Sequence, residues 1–258
     1  MKKKIAVLLS GLARCEEENF KFLKNLFKDY DFKILPLIWK NQKNLDSFKR
    51  IYFLEDIKEI EQNNWSYEIS KIKYVFGEEN RSYKLENIFH MWHSIEENTK
   101  YLENYSIKNN INFDYVCRFR GDLYSKSKNF DISKYINKIN NNEIIFPENF
   151  HSRGLNDLFF ITNFKTFLKF KECIEYLKIF INESRPLSSE YFFYHFIRNK
   201  SIKIKIIKNF KVNLFGEENK SHENYTLQPT KKAYIPLIDK IHLKYIKYKL
   251  RFLKKFNF

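Results

Sequence analysis

Cysteine is scarce in this chain, and the few cysteines lie far apart. They are Cys15, Cys117 and Cys173, and none belongs to a Cys-x-x-Cys pair. An odd number of widely spaced cysteines argues against a disulfide framework and against a zinc knuckle, and it favours a reducing compartment. We therefore expect a cytoplasmic protein.

The chain also lacks a hydrophobic run long enough to cross a membrane. No stretch of about 18 apolar residues occurs, and that length is what a transmembrane helix requires. The N-terminus resembles a secretory leader for a few residues, because Ile5–Leu9 follows three lysines. Its apolar run is too short, however, and charged residues follow at once. No internal repeat is visible.

What the chain has in abundance is apolar and aromatic surface. Its 258 residues are 43% hydrophobic and 18% aromatic, which is too apolar for a disordered chain. A chain of this length buries roughly three-quarters of its unfolded surface without disulfides or metals. We expect one domain over residues 1–235 and a basic amphipathic helical tail over residues 236–258.

The net charge of +16 admits several partners. Nucleic-acid binding depends on Lys and Arg, but here the lysines are scattered and accompany many Asn, Ile, Phe and Tyr residues. That combination is typical of an A/T-rich genome, so we expect no nucleic-acid partner. An anionic substrate or an anionic membrane surface fits the charge equally well.

Alternating strands and helices predict an α/β fold with a mostly parallel sheet flanked by helices. The first strand, Ile5–Leu9, is apolar on both faces, as in a parallel sheet. A turn, a helix and a second strand follow it as a βαβ unit. Further predicted elements are a strand at Ile72–Phe76, a helix at Tyr83–Asn104, strands at Phe113–Phe119, Glu143–Phe146 and Leu158–Thr162, helices at Phe164–Phe180 and Ser188–Arg198, and an edge strand at Ile202–Ile207.

The segment Asp239–Phe258 carries lysines along one helical stripe and large apolar residues along the other. A basic amphipathic helix of this kind can lie on an anionic membrane. It can equally pack on its own domain as a terminal helix, and the sequence leaves both alternatives open.

Two glycine-bearing turns are candidates for binding phosphate. Ser10 and Gly11 end the first strand, where a backbone without Cβ can approach a ligand and a helix N-terminus attracts anions. Arg14 adds a planar donor suited to a diphosphate. The alternative is an ordinary α/β turn.

The second turn follows the strand that ends at Phe119. Burying the guanidinium groups of Arg118 and Arg120 there costs desolvation free energy unless an anion or a carboxylate pairs with them. One interpretation is a diphosphate pocket in which Asp122 holds a sugar hydroxyl or a divalent metal. The other is an internal Arg–Asp ion pair.

Three further polar residues are candidates for recognising a hydroxyl group or for acid–base chemistry. Asn156 and Asp157 precede the apolar strand Leu158–Thr162 and suit hydroxyl recognition, although a turn would explain them too. Glu190 lies in the first turn of a helix capped by Ser188, where the helix dipole favours a carboxylate. It could also face the cleft as the general base.

In their order along the chain, these segments resemble a family of bacterial glycosyltransferases found in capsule and lipopolysaccharide loci. The shared features are Ser-Gly-x-x-Arg at Ser10–Arg14, an Arg-x-Arg-x-Asp-Leu strand end within Tyr115–Leu123, a Pro-bearing loop to an Asn-Asp-x-Phe strand at Pro147–Phe159, and an acidic helix start near Glu190. The resemblance covers most of the chain up to about residue 215.

This resemblance implies a GT-A-like single nucleotide-binding domain. It places Ser10, Gly11 and Arg14 near the nucleotide, and it places the following group near the diphosphate: Arg118, Arg120 and Asp122. The sugar and the acceptor would then lie near Asp157 and Glu190, and either carboxylate could act as the catalytic base. Because Arg120 stands where many GT-A enzymes carry the first acid of Asp-x-Asp, the arginines could neutralise the leaving diphosphate themselves. We expect no tightly bound cofactor, with Asp122 as a candidate ligand for Mn²⁺ or Mg²⁺.

The sequence therefore predicts a glycosyltransferase that uses a nucleotide-sugar donor and a surface-polysaccharide or lipid-linked glycan acceptor. Two rival hypotheses stay open. A nucleotidyl- or phospho-sugar transferase could use the same scaffold but would need a second acidic metal ligand. A basic nucleic-acid- or membrane-binding protein would have no catalytic role.

Overall fold

A computed structural model describes residues 2–13, 17–76, 82–121, 123–124, 130–148, 155, 157–183 and 187–214. Among the helices in these ranges, none combines the length and the apolar character needed to cross a membrane.

The elements alternate between strands and helices along most of the described chain. The strands are β1 (Lys4–Gly11), β2 (Asp31–Trp39), β3 (Lys58–Ile60), β4 (Tyr115–Phe119), β5 (Leu123–Tyr124), β6 (Glu143–Pro147), β7 (Phe159–Asn163), β8 (Lys203–Ile207) and β9 (Asn213–Leu214). The helices are α1 (Glu17–Leu26), α2 (Leu45–Tyr52), α3 (Ser66–Phe76), α4 (Ser82–Asn109), α5 (Ser133–Ile136), α6 (Phe164–Phe167), α7 (Cys173–Asn182) and α8 (Ser189–Asn199), with a 3₁₀ helix at Leu168–Glu172.

Seven of these strands form one sheet in the order β3-β2-β1-β4-β7-β6-β8. The pairs β1–β2, β1–β4, β2–β3 and β6–β8 are parallel, whereas β7 runs antiparallel to both of its neighbours, β4 and β6. The strands β5 and β9 pair separately as a two-stranded sheet. The predicted α/β fold with a mostly parallel sheet is therefore confirmed, and β8 is an edge strand as predicted.

Alternation of side chains along β1 divides the hydrophobic interior into two cores. Ala6 and Leu8 point to the face covered by α3, α4, α7 and α8. Ile5, Val7 and Leu9 point to the face covered by α1, α2 and α5. Because successive strand residues point to opposite faces, a strand with helices on both sides must be apolar throughout, as this one is.

The predicted strand at Ile72–Phe76 is wrong, because these residues belong to α3. Trp65, Ile69 and Ile72 are all buried against the first core. Their spacing of four and then three residues places them on one helical face. The three consecutive hydrophobic or aromatic positions at 74–76 looked like a strand only because Trp65 was left outside the pattern.

Two other helix predictions differ in detail from the structure. The long helix α4 is confirmed and extends beyond the predicted range at its C-terminal end. The helix predicted over Phe164–Phe180 is divided by the 3₁₀ turn into α6 and α7. Asn163 begins α6 as its N-cap, since its side chain accepts a hydrogen bond from the Thr166 amide at 2.8 Å.

Candidate functional site

The site lies where the chain direction across the sheet reverses. From β1 the chain moves to β2 on one side, and β4 lies on the other side of β1. In open α/β sheets, ligands bind at the carboxyl ends of strands at such a switch point. Leu9 and Phe119 are the last paired residues of β1 and β4, so Ser10 and Arg120 lie just beyond that pair at the same edge. We call this the carboxyl edge.

At the end of β1, the backbone conformation requires a glycine. Gly11 has φ of +98°, which L-residues rarely adopt. Ser10 is buried, and the Ser94 hydroxyl of α4 lies 3.5 Å from its hydroxyl. One residue earlier, Asn98 Nδ2 donates to the carbonyl oxygen of Leu9 at 3.3 Å. Helix α4 thus fixes the turn that the sequence singled out.

At the end of β4, the two arginines occupy different surroundings. Arg118 is only 2% exposed, and its Nη1 donates to the Phe119 carbonyl oxygen at 2.8 Å. Arg120 is half-buried, and its backbone amide donates to the Leu158 carbonyl oxygen at 3.1 Å. Asn19 of α1 donates its side-chain amide to the carbonyl oxygen of Gly121. Of the two arginines, Arg120 is the one that retains surface for a ligand.

The reversed direction of β7 brings an acidic residue to the same edge. Because β7 is antiparallel to β4, its first residue, Phe159, lies opposite Phe119. Asp157 is therefore placed at the carboxyl edge, and it is 4% exposed. Its Oδ2 accepts a hydrogen bond from the hydroxyl of Ser189, the first residue of α8. The Arg120 turn and Asp157 are thus neighbours across the β4–β7 pair.

Glu190, the next residue of α8, completes a pair of carboxyl groups with Asp157. Burial is the main cause that raises the pKa of Glu190 to about 7, and repulsion from the Asp157 charge raises it further. Ser188 begins the helix as its N-cap, since its hydroxyl accepts from the Tyr191 amide at 3.1 Å. The Glu190 carbonyl oxygen accepts from the Leu155 amide at 3.2 Å. A carboxyl group that titrates near neutral pH can take up or release a proton during catalysis.

A layer of tryptophan and histidine rings lies beside the Gly11 turn. A Cβ at Gly11 would be 3.5 Å from the Trp39 indole nitrogen. The Trp39 ring stacks on His93, with centroids 6.1 Å apart. His90 Nδ1 accepts from the Trp65 indole at 3.3 Å, and burial lowers the pKa of both histidines. These contacts give the histidines a packing role at the site.

Three predicted site residues, Arg14, Asp122 and Asn156, lie outside the described residues, as does the tail from 236 to 258. The structure brings the remaining six to the carboxyl edge: Ser10, Gly11, Arg118, Arg120, Asp157 and Glu190. Within the described ranges, no group of three or more His, Cys, Asp or Glu residues could hold a metal ion. The role of Asp122 and the participation of a metal stay predictions.

The structure adds supporting residues that sequence reasoning missed. Ser94 and Asn98 are polar and buried on α4, four residues apart. Their spacing on the inner face of a helix was the signal that could have found them, because a buried polar residue needs a specific partner. Nothing in the sequence marked Ser189 as part of the site, because the N-cap role of the neighbouring Ser188 already accounts for a serine at the start of α8.

Comparison with known proteins finds likeness only at the level of structure. No protein-family model matches the chain, and no curated protein matches it. Solved structures do match. One is a Desulfovibrio desulfuricans G20 protein assigned as a nucleotide-diphospho-sugar transferase, with 7% identity, a TM-score of 0.42, and 80% of each chain covered.

Two other matches are described as glycosyltransferases. GlyE of Streptococcus pneumoniae TIGR4 shares 13% identity at a TM-score of 0.43, over 81% of this chain and 46% of that chain. A glycosyltransferase involved in glycosylation of the major capsid of PBCV-1 shares 11% identity at a TM-score of 0.34, over 79% and 80%. These descriptions belong to those proteins, and at these identities no substrate or activity passes from them to this chain.

Proposed function

We propose that the protein transfers a sugar from a nucleotide-sugar donor to a hydroxyl group of a surface-polysaccharide or lipid-linked glycan acceptor. The observation that carries this proposal is the Asp157–Glu190 carboxyl pair beside the β1–β4 switch point. The switch point suits a nucleotide donor. The carboxyl pair suits deprotonation of an acceptor. The ordered motifs that resemble capsule and lipopolysaccharide glycosyltransferases support the same assignment.

Glu190 is the general base in this proposal. Its carboxylate takes the proton of the acceptor hydroxyl while the acceptor oxygen bonds to the anomeric carbon of the sugar. The bond from that carbon to the diphosphate oxygen breaks, and its electron pair leaves with the nucleoside diphosphate. Repulsion from Asp157 raises the pKa of Glu190, which makes Glu190 more basic than an isolated glutamate.

The leaving diphosphate needs positive charge at the carboxyl edge. Arg120, with its half-buried side chain, is proposed to contact the diphosphate together with Arg14. Arg118 is almost fully buried, so its proposed contribution is a fixed positive charge beneath the strand end. Ser10 and Gly11 would meet the nucleotide with their backbone, and Asn156 would bind a sugar hydroxyl. Asp122 would bind the sugar, or Mn²⁺ or Mg²⁺ where a metal takes part.

Ligand-induced stabilisation tests this proposal directly. Thermal unfolding is measured with UDP-, GDP-, CMP- and ADP-linked sugars, each with and without Mn²⁺. A ligand at a hundred times its dissociation constant adds about 2.7 kcal/mol, which corresponds to a shift of several degrees in a domain of this size. If no nucleotide sugar shifts the midpoint, the proposal fails, and the arms with Mn²⁺ report on metal dependence.

A turnover assay with the binding sugar then tests the role of Glu190. We expect Glu190→Gln to bind the donor but to lose at least a hundredfold in kcat, the lower range for a lost general base. Glu175→Gln is the matched control, because Glu175 is an exposed acid on α7. A Glu190→Gln variant with the kcat of the control would remove Glu190 from the mechanism.

The basic tail is proposed to hold the enzyme at the inner-membrane surface, near a lipid-linked acceptor. The lysine stripe of residues 239–258 supports this localisation. In a vesicle sedimentation assay, the full-length protein should bind anionic vesicles but not neutral ones. Replacing Lys244, Lys247 and Lys254 with Ser should release it, and unchanged binding would show that the tail does not provide the attachment.

A further inference from the structure

The hydroxyl of Ser189 connects a buried indole with the carboxylate of Asp157. Trp92 Nε1 lies 3.1 Å from Ser189 Oγ, and Ser189 Oγ is also hydrogen-bonded to Asp157 Oδ2. An indole nitrogen can only donate, so the serine oxygen accepts at that contact. The single hydroxyl hydrogen of Ser189 is therefore available to Asp157, and the direction of both hydrogen bonds is fixed.

One competing acceptor is present. The sulfur of Met91 lies 3.7 Å from Ser189 Oγ. A thioether is a weak acceptor, whereas a hydrogen bond to an ionised carboxylate is about twice as strong as one between neutral groups. The hydroxyl hydrogen therefore goes to Asp157.

The indole that orients Ser189 is held firmly in place. Trp92 has no exposed surface, and its ring lies 4.8 Å from that of Phe192 and 5.1 Å from that of Phe193 on α8. A packed ring of this kind cannot turn without disturbing the core. The hydrogen bond from its nitrogen is thus a constant feature of the site.

The two carboxyl groups differ in their surroundings because of this arrangement. Asp157 receives a hydroxyl hydrogen, which favours its charged form, and it lies in a nearly buried position where such a bond is strong. The Asp157 charge faces Glu190 from the segment before β7, and the Ser188 hydroxyl faces it from the start of α8. From α4, the contacts at this point come from Trp92 and Met91, neither of which titrates.

We propose that Ser189, oriented by Trp92, is a positioning residue that keeps the negative charge of the pair on Asp157 and the exchangeable proton on Glu190. This inference rests on the proposed function for its catalytic meaning, because it determines which carboxyl group acts as the base. The arrangement of charge itself can be measured without any substrate.

The test follows each carboxyl carbon by ¹³C NMR as the pH is varied, in the full-length protein and without substrate. Glu190→Gln and Asp157→Asn assign the two signals. In the unsubstituted protein, the Glu190 carbon should report the titration near neutral pH. Ser189→Ala should lower the preference of the proton for Glu190 by roughly ten- to a hundredfold, the range expected for one hydrogen bond to a charged group. The Glu190 carbon should then show a smaller part of the titration near neutral pH.

Three further variants separate this role from a structural one. Ser189→Thr retains the hydroxyl and should restore the original titration, whereas Trp92→Phe removes the orienting N–H and should give a partial loss. Ser106→Ala is the matched control, because Ser106 is a buried α4 serine whose hydroxyl bonds to the Ile111 carbonyl oxygen, away from the carboxyl pair.

An unchanged titration in Ser189→Ala would overturn the inference, even if the protein proves to transfer sugar. A Ser189→Thr variant that titrates like the alanine variant would count against it in the same way. If the titrations behave as expected but no nucleotide sugar binds, the proposed function fails while the arrangement of charge stands.

Discussion

Asn98, near the middle of α4, donates its side-chain amide to the carbonyl oxygen of Leu9, 3.3 Å away. Asn98 is 1% exposed, so the bond lies inside the protein, directly before the Ser10–Gly11 turn. The same helix carries Trp92, which orients the serine beside Asp157. One helix therefore supports both the β1 end and the carboxyl pair.

Asn98→Ala should weaken the β1 end. We expect a loss of about 1–2 kcal/mol in the free energy of unfolding, because a buried carbonyl oxygen loses its donor. We also expect a several-fold weaker affinity for the nucleotide sugar. Urea unfolding and calorimetric titration measure the two effects. Asn109→Ala is the control on the same helix, because Asn109 is exposed and its side chain donates to the Tyr105 carbonyl oxygen one turn away. Equal effects of the two variants would contradict the expectation.

Replacement of Glu190 should change how stability depends on pH. Burial and the Asp157 charge raise the pKa of Glu190 to about 7 in the folded protein, against an ordinary value of 4.5, so the folded state binds more protons between these values. Stability therefore falls as the pH rises through this window. At about pH 8, Glu190→Gln should be more stable than the original protein by up to about 3 kcal/mol. At about pH 4 the difference should vanish, and a pH-independent difference in urea unfolding would refute the assignment.

The rate of transfer should also depend on the ionisation of Glu190. We expect kcat/KM to fall about tenfold for each pH unit below about 7, because only the ionised carboxylate accepts a proton. Initial rates in buffers of constant ionic strength give this profile. A flat profile from about pH 5.5 to 8 would mean that another group is the base.

Gly11→Ala should destabilise the protein through backbone conformation and not through crowding. The added Cβ would lie 3.5 Å from the Trp39 nitrogen, an ordinary contact, but φ is +98°. An L-residue in such a conformation costs about 1–2 kcal/mol, which urea unfolding can measure. Trp39→Phe in the same chain should not recover the loss. Recovery in the double variant would show that the indole, and not the backbone, opposes the methyl group.

Much of the fold could be predicted from the sequence, because buried strands and the long helix have clear patterns. Ile5–Leu9 is apolar at every position, and the spacing of Leu85, Phe89 and Trp92 defines one face of α4. The strand prediction at Ile72–Phe76 failed because a short apolar run is compatible with either a strand or a helix. The 3₁₀ turn at Leu168–Glu172 interrupts a continuous helical pattern that contains neither Gly nor Pro, so nothing in the residues marked it.

The site could be predicted less completely, for a physical reason. Sequence reasoning identified Asp157 and Glu190 separately, because Asp157 precedes a recognisable strand and Glu190 lies in the first turn of a recognisable helix. Their approach to each other depends on the antiparallel direction of β7 and on the position of α8, which are tertiary features. Side-chain alternation alone would give Arg118 and Arg120 the same surroundings, because residues two apart on a strand point to one face. The contrast between the buried Arg118 and the half-buried Arg120 arises because Arg120 lies beyond the end of β4.

The three tryptophans of the chain are all buried, and two of them lie beside different parts of the site. Trp39 is next to the Gly11 turn, and the Trp92 indole donates to Ser189, which in turn donates to Asp157. Indole fluorescence is sensitive to nearby charge, so emission should change with donor occupancy at one ring and with carboxyl ionisation at the other. Variants that keep only Trp39 or only Trp92 would therefore report donor binding and carboxyl ionisation separately, by intrinsic fluorescence and without a label.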